Sequence, residues 1–387
     1  MSPTPDEEAA ERRGNFVSEW FGHRLHPTVT ETPQSLTDQQ NKRCPFLSAA
    51  LHATVECVKS DASKGICTIS SSSNGPRQDW LVCPFRALDR GLLDHAARRL
   101  FPVETGTLLV VPAPTLAADT VKSSILATLR AGGRALVFLQ AKLGGEVALS
   151  ATARSPEVSF DTTLVEIVEW DGALDIGKYG ILEVQTMDFH GTYKYAVKNL
   201  TDALRLHGDQ FHAVVRANEG RWISERIEGP NIANVFKRTF YQVMLKFQIG
   251  AHPSSAGCVL ALPAAVWDSW QRHLGGPEPM PRSDGTLQLS RPDSVPGDHV
   301  PGWILVFDLD SQSASTPNPV AVQKTIATDA DSVAHFAVKV APEVAIAEGG
   351  AAGFVTTTIR RRLAVWWPAL AAPPSARTRN RRGDRRA

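Results

Sequence analysis

The sequence predicts an α/β fold. Runs of β-branched and apolar residues at 108–111 and 135–140 read as strands, and they enclose a helical segment that ends near Gly132. Later segments continue the alternation, with helical spacing at 193–206 and apolar runs at 259–262. Helices and strands that alternate along one chain are typical of an α/β core.

Composition restricts the class of protein but does not identify it. The chain has 387 residues, enough for one large or two modest domains. It carries 41 Lys and Arg against 40 Asp and Glu, so any DNA-binding surface must be local. No run reaches the roughly 18 apolar residues that a membrane helix needs, and the charged N-terminus lacks the apolar core of a signal peptide. We therefore expect a cytoplasmic protein without a membrane partner.

Composition also suggests boundaries along the chain. We expect disorder in residues 1–14 and in the arginine-rich tail 371–387, which we interpret as solvated rather than as a phosphate-contacting arm. Four of the five cysteines fall in residues 15–90, which predict a small separate module. The α/β core is expected over 91–310, followed by an accessory region, 311–370, without an assigned role.

Two acidic residues interrupt segments that otherwise read as buried strands. Asp161 precedes an apolar run, and Glu183 lies inside Ile-Leu-Glu-Val. A carboxylate in an apolar strand is costly unless its charge is compensated, and a divalent cation is the simplest compensation. The turn residues at 171–172 predict an antiparallel hairpin over about 158–187 that brings the two acids together. Gln185 falls on the same face of its strand as Glu183.

The cysteines Cys44, Cys57, Cys67 and Cys83 are separated by twelve, nine and fifteen residues, which is not the spacing of a zinc ribbon. Buried thiols and a tetrahedral metal site both remain open from spacing alone. Proline after Cys44 and after Cys83 favours metal, and disulfides are less expected in the cytoplasm. Thiolate ligands suit iron and zinc alike. Cys258 reads as a core residue.

Longer irregular fragments accompany these residues in a fixed order. They lie at residues 15–16, 21–24, 44–47, 79–84, 142–146, 160–161, 183–191 (EVQTMDFHG), 228–242 (EGPNIANVFKRTFYQ) and 270–274. In order and spacing they resemble the NotI-type type II restriction endonucleases, an ExQ variant of the PD-(D/E)xK nuclease superfamily. The resemblance implies a PD-(D/E)xK restriction-endonuclease-like core, with a mixed sheet flanked by helices, plus a small N-terminal four-cysteine metal-binding module. In that family the structural metal is iron.

The resemblance also implies an activity and its partners. The implied activity is Mg²⁺-dependent, sequence-specific double-strand cleavage of DNA at a GC-rich palindrome. The implied partners are a second copy of the chain, in a homodimer, and a cognate DNA methyltransferase. Two alternatives remain open. One is a catalytically inactive, metal-stapled, sequence-specific DNA-binding protein, and the other is a structure-specific repair nuclease.

Site roles follow from the same resemblance. Asp161 and Glu183, with the carbonyl of Val184, would hold Mg²⁺, and Glu146 resembles a further acid of the site, although a solvated loop residue is an equal reading. Gln185 stands where most members of the superfamily have Lys, and Phe160 where most have Pro. Gln can hydrogen-bond but carries no charge, so more of the electrostatic work is expected to fall on the metal.

DNA contacts are predicted mainly on one helix, residues 231–249. Its apolar residues share one face, and the opposite face carries four polar candidates, which are Lys237, Arg238, Tyr241 and Gln242. Arg can read guanine in the major groove, and Lys or Tyr can bind phosphate. A polar face that simply meets water is the alternative interpretation. Arg86, just beyond Cys83, is a further candidate reader of base or phosphate.

Overall fold

The structure is a computed structural model, and its described residues are 14–72, 77–104, 106–187, 189–218, 222–223, 227–294, 299–310, 313, 315–348 and 351–370. Disorder is expected in residues 1–14 and 371–387, and all of these except Gly14 lie outside the described ranges.

The strands in the described ranges are β1 (Phe16–Trp20), β2 (His23–Arg24), β3 (Ile66–Ser71), β4 (Gln78–Leu81), β5 (Leu108–Pro112), β6 (Arg134–Gln140), β7 (Val147–Leu149), β8 (Val158–Phe160), β9 (Thr162–Trp170), β10 (Ala173–Val184), β11 (Phe189–Gly191), β12 (Ile227–Pro230), β13 (Ser255–Pro263), β14 (Met280–Pro281), β15 (Leu287–Gln288), β16 (Gly302–Leu309) and β17 (Val320–Thr328).

The α-helices in the same ranges are α1 (Pro33–Gln40), α2 (Pro45–Leu51), α3 (Arg90–Leu100), α4 (Asp119–Arg130), α5 (Lys194–His207), α6 (Phe211–Ala217), α7 (Ile232–Gly250), α8 (Ala264–His273), α9 (Ala330–His335), α10 (Ala341–Glu348) and α11 (Ala351–Ala364). None of them is both long and apolar enough to cross a membrane.

The central sheet is mixed, as the sequence predicts. Within the described residues its strand order is β14-β15-β17-β16-β13-β10-β9-β6-β5. β10 pairs antiparallel with β9 on one side and parallel with β13 on the other. Helix α7 packs beside β13 and β10, and α3 beside β17 and β13. The prediction of a mixed sheet flanked by helices is therefore confirmed.

The predicted hairpin is β9 and β10. Its turn residues Asp171 and Gly172 have φ of +50° and +75°, the left-handed conformation that a tight hairpin turn needs. The ladder begins with Ala173 opposite Trp170 and continues to Leu182 opposite Thr162. This register brings the end of β10 beside the start of β9. The two acids of the sequence pattern therefore meet at one edge of the sheet.

The N-terminal strands form a separate antiparallel sheet, in the order β2-β1-β3-β4. Its core is continuous with the core of the central sheet, because Trp20 and Ile69 belong to the same buried cluster as Leu182 and Phe307. The N-terminal segment therefore packs on the α/β core through shared apolar side chains.

The C-terminal segment takes a larger part in the fold than the sequence suggests. β17 pairs antiparallel with β16 from Gly302 opposite Thr328 to Leu309 opposite Val320. The assignment of residues 311–370 to an accessory region is thus corrected, since β17 is an inner strand of the central sheet. The short strands β14 and β15 add to the same side of the sheet.

Candidate active site

The two carboxylates are joined by reciprocal main-chain hydrogen bonds. The amide N of Asp161 donates to Glu183 Oε1 at 3.1 Å, and the amide N of Val184 donates to Asp161 Oδ2 at 3.1 Å. Asp161 lies between β8 and β9, and Glu183 is the penultimate residue of β10. The structure therefore brings together the acidic pair that the sequence singled out, and it fixes one oxygen of each.

Glu183 is buried and shares its second oxygen with a lysine. Its exposed fraction is 8%, and Lys246 Nζ of α7 lies 2.5 Å from Glu183 Oε2. Burial and the neighbouring charge of Asp161 raise the pKa of Glu183 to about 8, although the ammonium of Lys246 acts in the opposite direction. The single ammonium of Lys246 therefore cannot balance two ionised carboxylates, so the pair favours binding of a further cation.

A cavity of about 430 Å³ opens over this pair. One wall carries Asp161, Glu183 and Gln185, and the other is the polar side of α7. Of the predicted DNA contacts on that helix, the structure places three at the cavity, all of them exposed: Arg238, Tyr241 and Gln242. An exposed, polar cavity of this size beside paired acids can receive a phosphate group of a larger substrate.

Lys237 is exposed but is not among the residues that line the cavity. It lies near His273, where burial and the charge of Lys237 lower the pKa of the imidazole. The four predicted helix contacts thus divide between the cavity and the neighbouring surface.

Gln185 lines the cavity, but its amide is turned away from the acids. Its Nε2 donates to the carbonyl of Thr186 at 2.5 Å, and its main-chain N donates to Ala261 O at 2.8 Å. Gln185 therefore makes a local bond at the position where most superfamily members carry a lysine.

Glu146 lies on the other side of Asp161. β7 pairs with β8 with Val147 opposite Phe160, so Glu146 is placed across from Asp161. Both side chains line a smaller hollow of about 50 Å³. Glu146 is exposed, which suits an auxiliary carboxylate and also a solvated loop residue.

Sequence reasoning missed Lys246. The signal was available, because Lys246 falls three residues after Val243 and beside Phe247 on the buried side of α7. A lysine on the apolar face of a helix is unusual and needs a partner. The partner, Glu183, is 63 residues away in the chain, so sequence spacing could not identify it.

The cysteines Cys44, Cys57, Cys67 and Cys83 are all buried free thiols. Cys67 and Cys83 are hydrogen-bonded to each other, and Cys44 interacts electrostatically with Cys57 and Cys83. Within the described residues, no group of three or more His, Cys, Asp and Glu side chains has an arrangement that would hold a metal ion. The four-cysteine metal site therefore stays a prediction, and the structure shows only that the thiols are neighbours.

Cys44 and Cys83 each precede a short helical turn that starts with Pro-Phe. In both cases two amide N–H groups of the turn bond the sulfur, those of Phe46 and Leu47 to Cys44 and those of Phe85 and Arg86 to Cys83. Amide donors at the start of a turn stabilise a thiolate, which is the form that binds metal.

The thiols differ in how readily they ionise. Burial raises the pKa of Cys44 to about 12. The thiol of Cys67 donates to Cys83, and this bond, with the nearby Lys59, lowers the pKa of Cys83 to about 6. Of Cys44, Cys67 and Cys83, the last is therefore the most easily ionised without metal. Four thiols with amide donors at two of them have the chemistry of a structural iron or zinc site.

Arg86 does not have the role that the sequence suggested. Its side chain is fully buried, and its Nε and Nη2 bond the two oxygens of Glu19 at 3.0 and 3.1 Å. Nη1 donates to Asp89, and Nη2 also donates to the carbonyl of Asn318. With its donors turned into the protein, Arg86 cannot reach DNA. The prediction of a DNA contact at Arg86 is corrected to a buried ion pair that joins β1 to the chain before β17.

The acidic pair fits a hard divalent cation. Two carboxylates from neighbouring strands converge at the mouth of an open cavity, and Mg²⁺ in proteins is commonly held by one or two carboxylates while it keeps several waters. The carbonyl of Val184 already accepts from the amide of Thr186 at 3.0 Å and has a second lone pair. Its place at the end of β10 is consistent with a third oxygen ligand.

Comparison of the chain with family models gave no match, and neither did comparison with the curated proteins.

Proposed function

We propose that this chain is a Mg²⁺-dependent type II site-specific deoxyribonuclease that cleaves both strands of DNA at a GC-rich palindrome. The observation that supports it best is the pair of cross-bonded carboxylates at one sheet edge, with a lysine at their side and a polar cavity in front of them. Paired acids beside a cation are the constellation that metal-assisted phosphodiester hydrolysis uses.

In this proposal the acidic residues bind the metal and Gln185 binds the substrate or a water. Asp161 and Glu183 hold the metal, with Val184 O as a further oxygen ligand and Glu146 as an additional acid near Asp161. When bound, Mg²⁺ supplies an activated water and neutralises charge on the phosphate. The carboxylates then need not remove the proton themselves. Gln185 lines the same cavity, and its amide would orient the phosphate or a water by hydrogen bonding once it leaves the Thr186 carbonyl.

DNA would enter along the polar side of α7. Arg238 and Gln242 at the cavity are the proposed readers of base edges, and Tyr241 with the neighbouring Lys237 would bind phosphate. Cutting a palindrome symmetrically requires two active sites related by a two-fold axis, so we propose a homodimer. A DNA methyltransferase for the same site, in a restriction system, would protect the cell, and the address would be cytoplasmic.

The four cysteines would hold one iron or zinc ion. We propose that this ion fixes the two Pro-Phe turns that follow Cys44 and Cys83 against β3, which carries Cys67. The metal would then act on folding rather than on chemistry.

One observation favours a second candidate, an inactive DNA-binding protein of the same fold. The Gln185 amide bonds the chain's own Thr186 carbonyl instead of the acidic pair. The strand position that is basic in most of the superfamily is therefore neutral here, and its side chain does not contact the acids. The two candidates differ in whether phosphodiester bonds are broken.

Incubation of the protein with phage or genomic DNA tests the proposal, with Mg²⁺ and beside an Asp161→Asn variant. Asn keeps an oxygen that can accept from the Val184 amide but removes the negative charge. Discrete fragments whose sequenced ends share one palindrome, absent with the variant, would support the endonuclease. Intact DNA that is retained in a gel shift by both proteins would support the second candidate instead.

A further inference from the structure

Lys246 is the one buried basic residue among the described residues that line the cavity. The other basic lining residue, Arg238, is exposed, whereas Lys246 is only 5% exposed. Fully buried lysines are rare unless they are paired, and here the ammonium contacts Glu183 at 2.5 Å. The ammonium of Lys246 is thus held at Glu183 and is not exposed on the surface of α7.

The strand position that usually carries a cation has none in this chain. Gln185 is neutral, and its amide donates to Thr186 O. Lys246 and Gln185 line the same cavity, the first from α7 and the second just beyond the end of β10. A positive charge is therefore present at the site, but it comes from the helix.

We propose that Lys246 is the basic residue of the active site and supplies from α7 the charge that Gln185 cannot supply from the strand. Without metal, its ammonium is hydrogen-bonded to Glu183 Oε2. With a cation held by Asp161 and Glu183, the ammonium of Lys246 would be free to turn towards the cavity, where its three N–H donors would hold an oxygen of the scissile phosphate. This inference rests on the proposed nuclease function for its last step, whereas the exchange of partners at Glu183 does not require DNA.

The first experiment measures cleavage of DNA in a single turnover with Mg²⁺. Lys246→Met, which has a similar volume and no charge, is expected to lower the rate by about 100-fold, a typical loss for one charge-stabilising group. Lys198→Met is the matched control, because Lys198 is an exposed lysine on α5 paired with Asp202. It is expected to cleave at the wild-type rate.

Rescue separates a role of the charge from a role in packing. Adding Gln185→Lys to Lys246→Met returns a cation to the cavity from the strand and is expected to restore the rate by at least about tenfold, roughly half the logarithm of the original loss. Loss of packing around Lys246 would not be repaired in this way. If Lys246→Met does not fold, as judged by circular dichroism, Lys246→Gln replaces it, since Gln can still hydrogen-bond Glu183 without a charge.

The second experiment needs neither DNA nor turnover. It measures Mn²⁺ binding to the metal-free protein by calorimetry. The two proteins are compared at a pH at which Glu183 is ionised in both. Because a divalent ion must displace the ammonium from Glu183, Lys246→Met is expected to bind Mn²⁺ at least about threefold more tightly than wild type under these conditions, while it cleaves more slowly. A lysine that only supports the fold would give weaker binding and slower cleavage together.

The two experiments test the nuclease proposal and the role of Lys246 separately. Wild-type protein that binds Mn²⁺ but cuts no DNA would overturn the nuclease proposal, and the direction of the Mn²⁺ change would still decide the exchange at Glu183. A cleaving wild type with an equally active Lys246→Met, or a double variant that is not rescued, would overturn the role of Lys246. Weaker Mn²⁺ binding by Lys246→Met would overturn it as well, as would the absence of Mn²⁺ binding by wild type.

Discussion

The pKa of Glu183 makes metal binding depend on pH, and the size of the effect follows from the structure. Burial and the charge of Asp161 raise this pKa from an ordinary 4.5 to about 8. Below that value the metal-free carboxyl carries a proton, which must leave before a metal can bind. Affinity therefore falls as the pH is lowered through the folded pKa, and it levels off above it.

The expected magnitude is large. Each pH unit below the pKa lowers the ionised fraction about tenfold, or about 1.4 kcal/mol. Between about pH 8 and pH 6, Mn²⁺ affinity should therefore fall by roughly 30- to 100-fold, or about 2 to 2.7 kcal/mol. A glutamate with its ordinary pKa of 4.5 would be ionised at both values and would show almost no change.

Calorimetric titration of the metal-free protein with Mn²⁺ at a series of pH values checks this. Glu183→Gln is the control, because it removes the titrating group and should bind weakly with little dependence on pH. A wild-type dissociation constant that stays within about threefold over these two pH units would refute the reasoning, because it would show that Glu183 is already ionised near pH 6.

Two further predictions concern the N-terminal part of the chain. Arg86→Met should lower the free energy of unfolding in urea by about 3 to 5 kcal/mol, because it leaves the carboxylate of Glu19 buried without its counter-charge. As the control, Arg98→Met at an exposed position of α3 should change the free energy of unfolding by less than about 0.5 kcal/mol. Elemental mass spectrometry of purified protein should find about one iron or zinc per chain, which Cys83→Ser loses and Cys258→Ser in β13 keeps. An Arg86→Met protein as stable as wild type, or a metal-free wild type, would contradict them.

Local patterns predicted much of the central sheet. The strands at 108–111 and 135–140 appear as β5 and β6, and the helix expected over 231–249 appears as α7. These elements have strong periodicity or clear turn residues, so neighbours along the chain determine them. The hairpin of β9 and β10 was predictable for the same reason, since its turn lies at Asp171 and Gly172.

Elements that depend on distant partners could not be predicted in this way. β17 is exposed in part along its length and alternates weakly, and it becomes a strand because β16 lies beside it. Arg86 was a candidate DNA contact because it lies just beyond Cys83, where the expected metal module would position it. Only the fold brings Glu19, 67 residues earlier, and Asn318, 232 residues later, to its side.

In the candidate site, too, residues set by local patterns could be predicted, and residues set by distant partners could not. The acidic pair was visible from two charges in apolar strands, whereas its lysine was not, because a helix far along the chain supplies it. Gln185 was expected to face the site, as period two requires, and it does line the cavity. The direction of its amide depends on the carbonyl of Thr186, which no pattern of side chains encodes.

The reciprocal amide bonds between Asp161 and Glu183 have a consequence for the order of events during synthesis. Each acid is held by the main chain of the other's strand, and the end of β10 is also paired with β13, from Glu183 opposite Leu260 to Val184 opposite Ala261. Because β10 lies between β9 and β13, the strand that carries Glu183 gains its second neighbour only after β13 has been translated, and Lys246 is translated before that point.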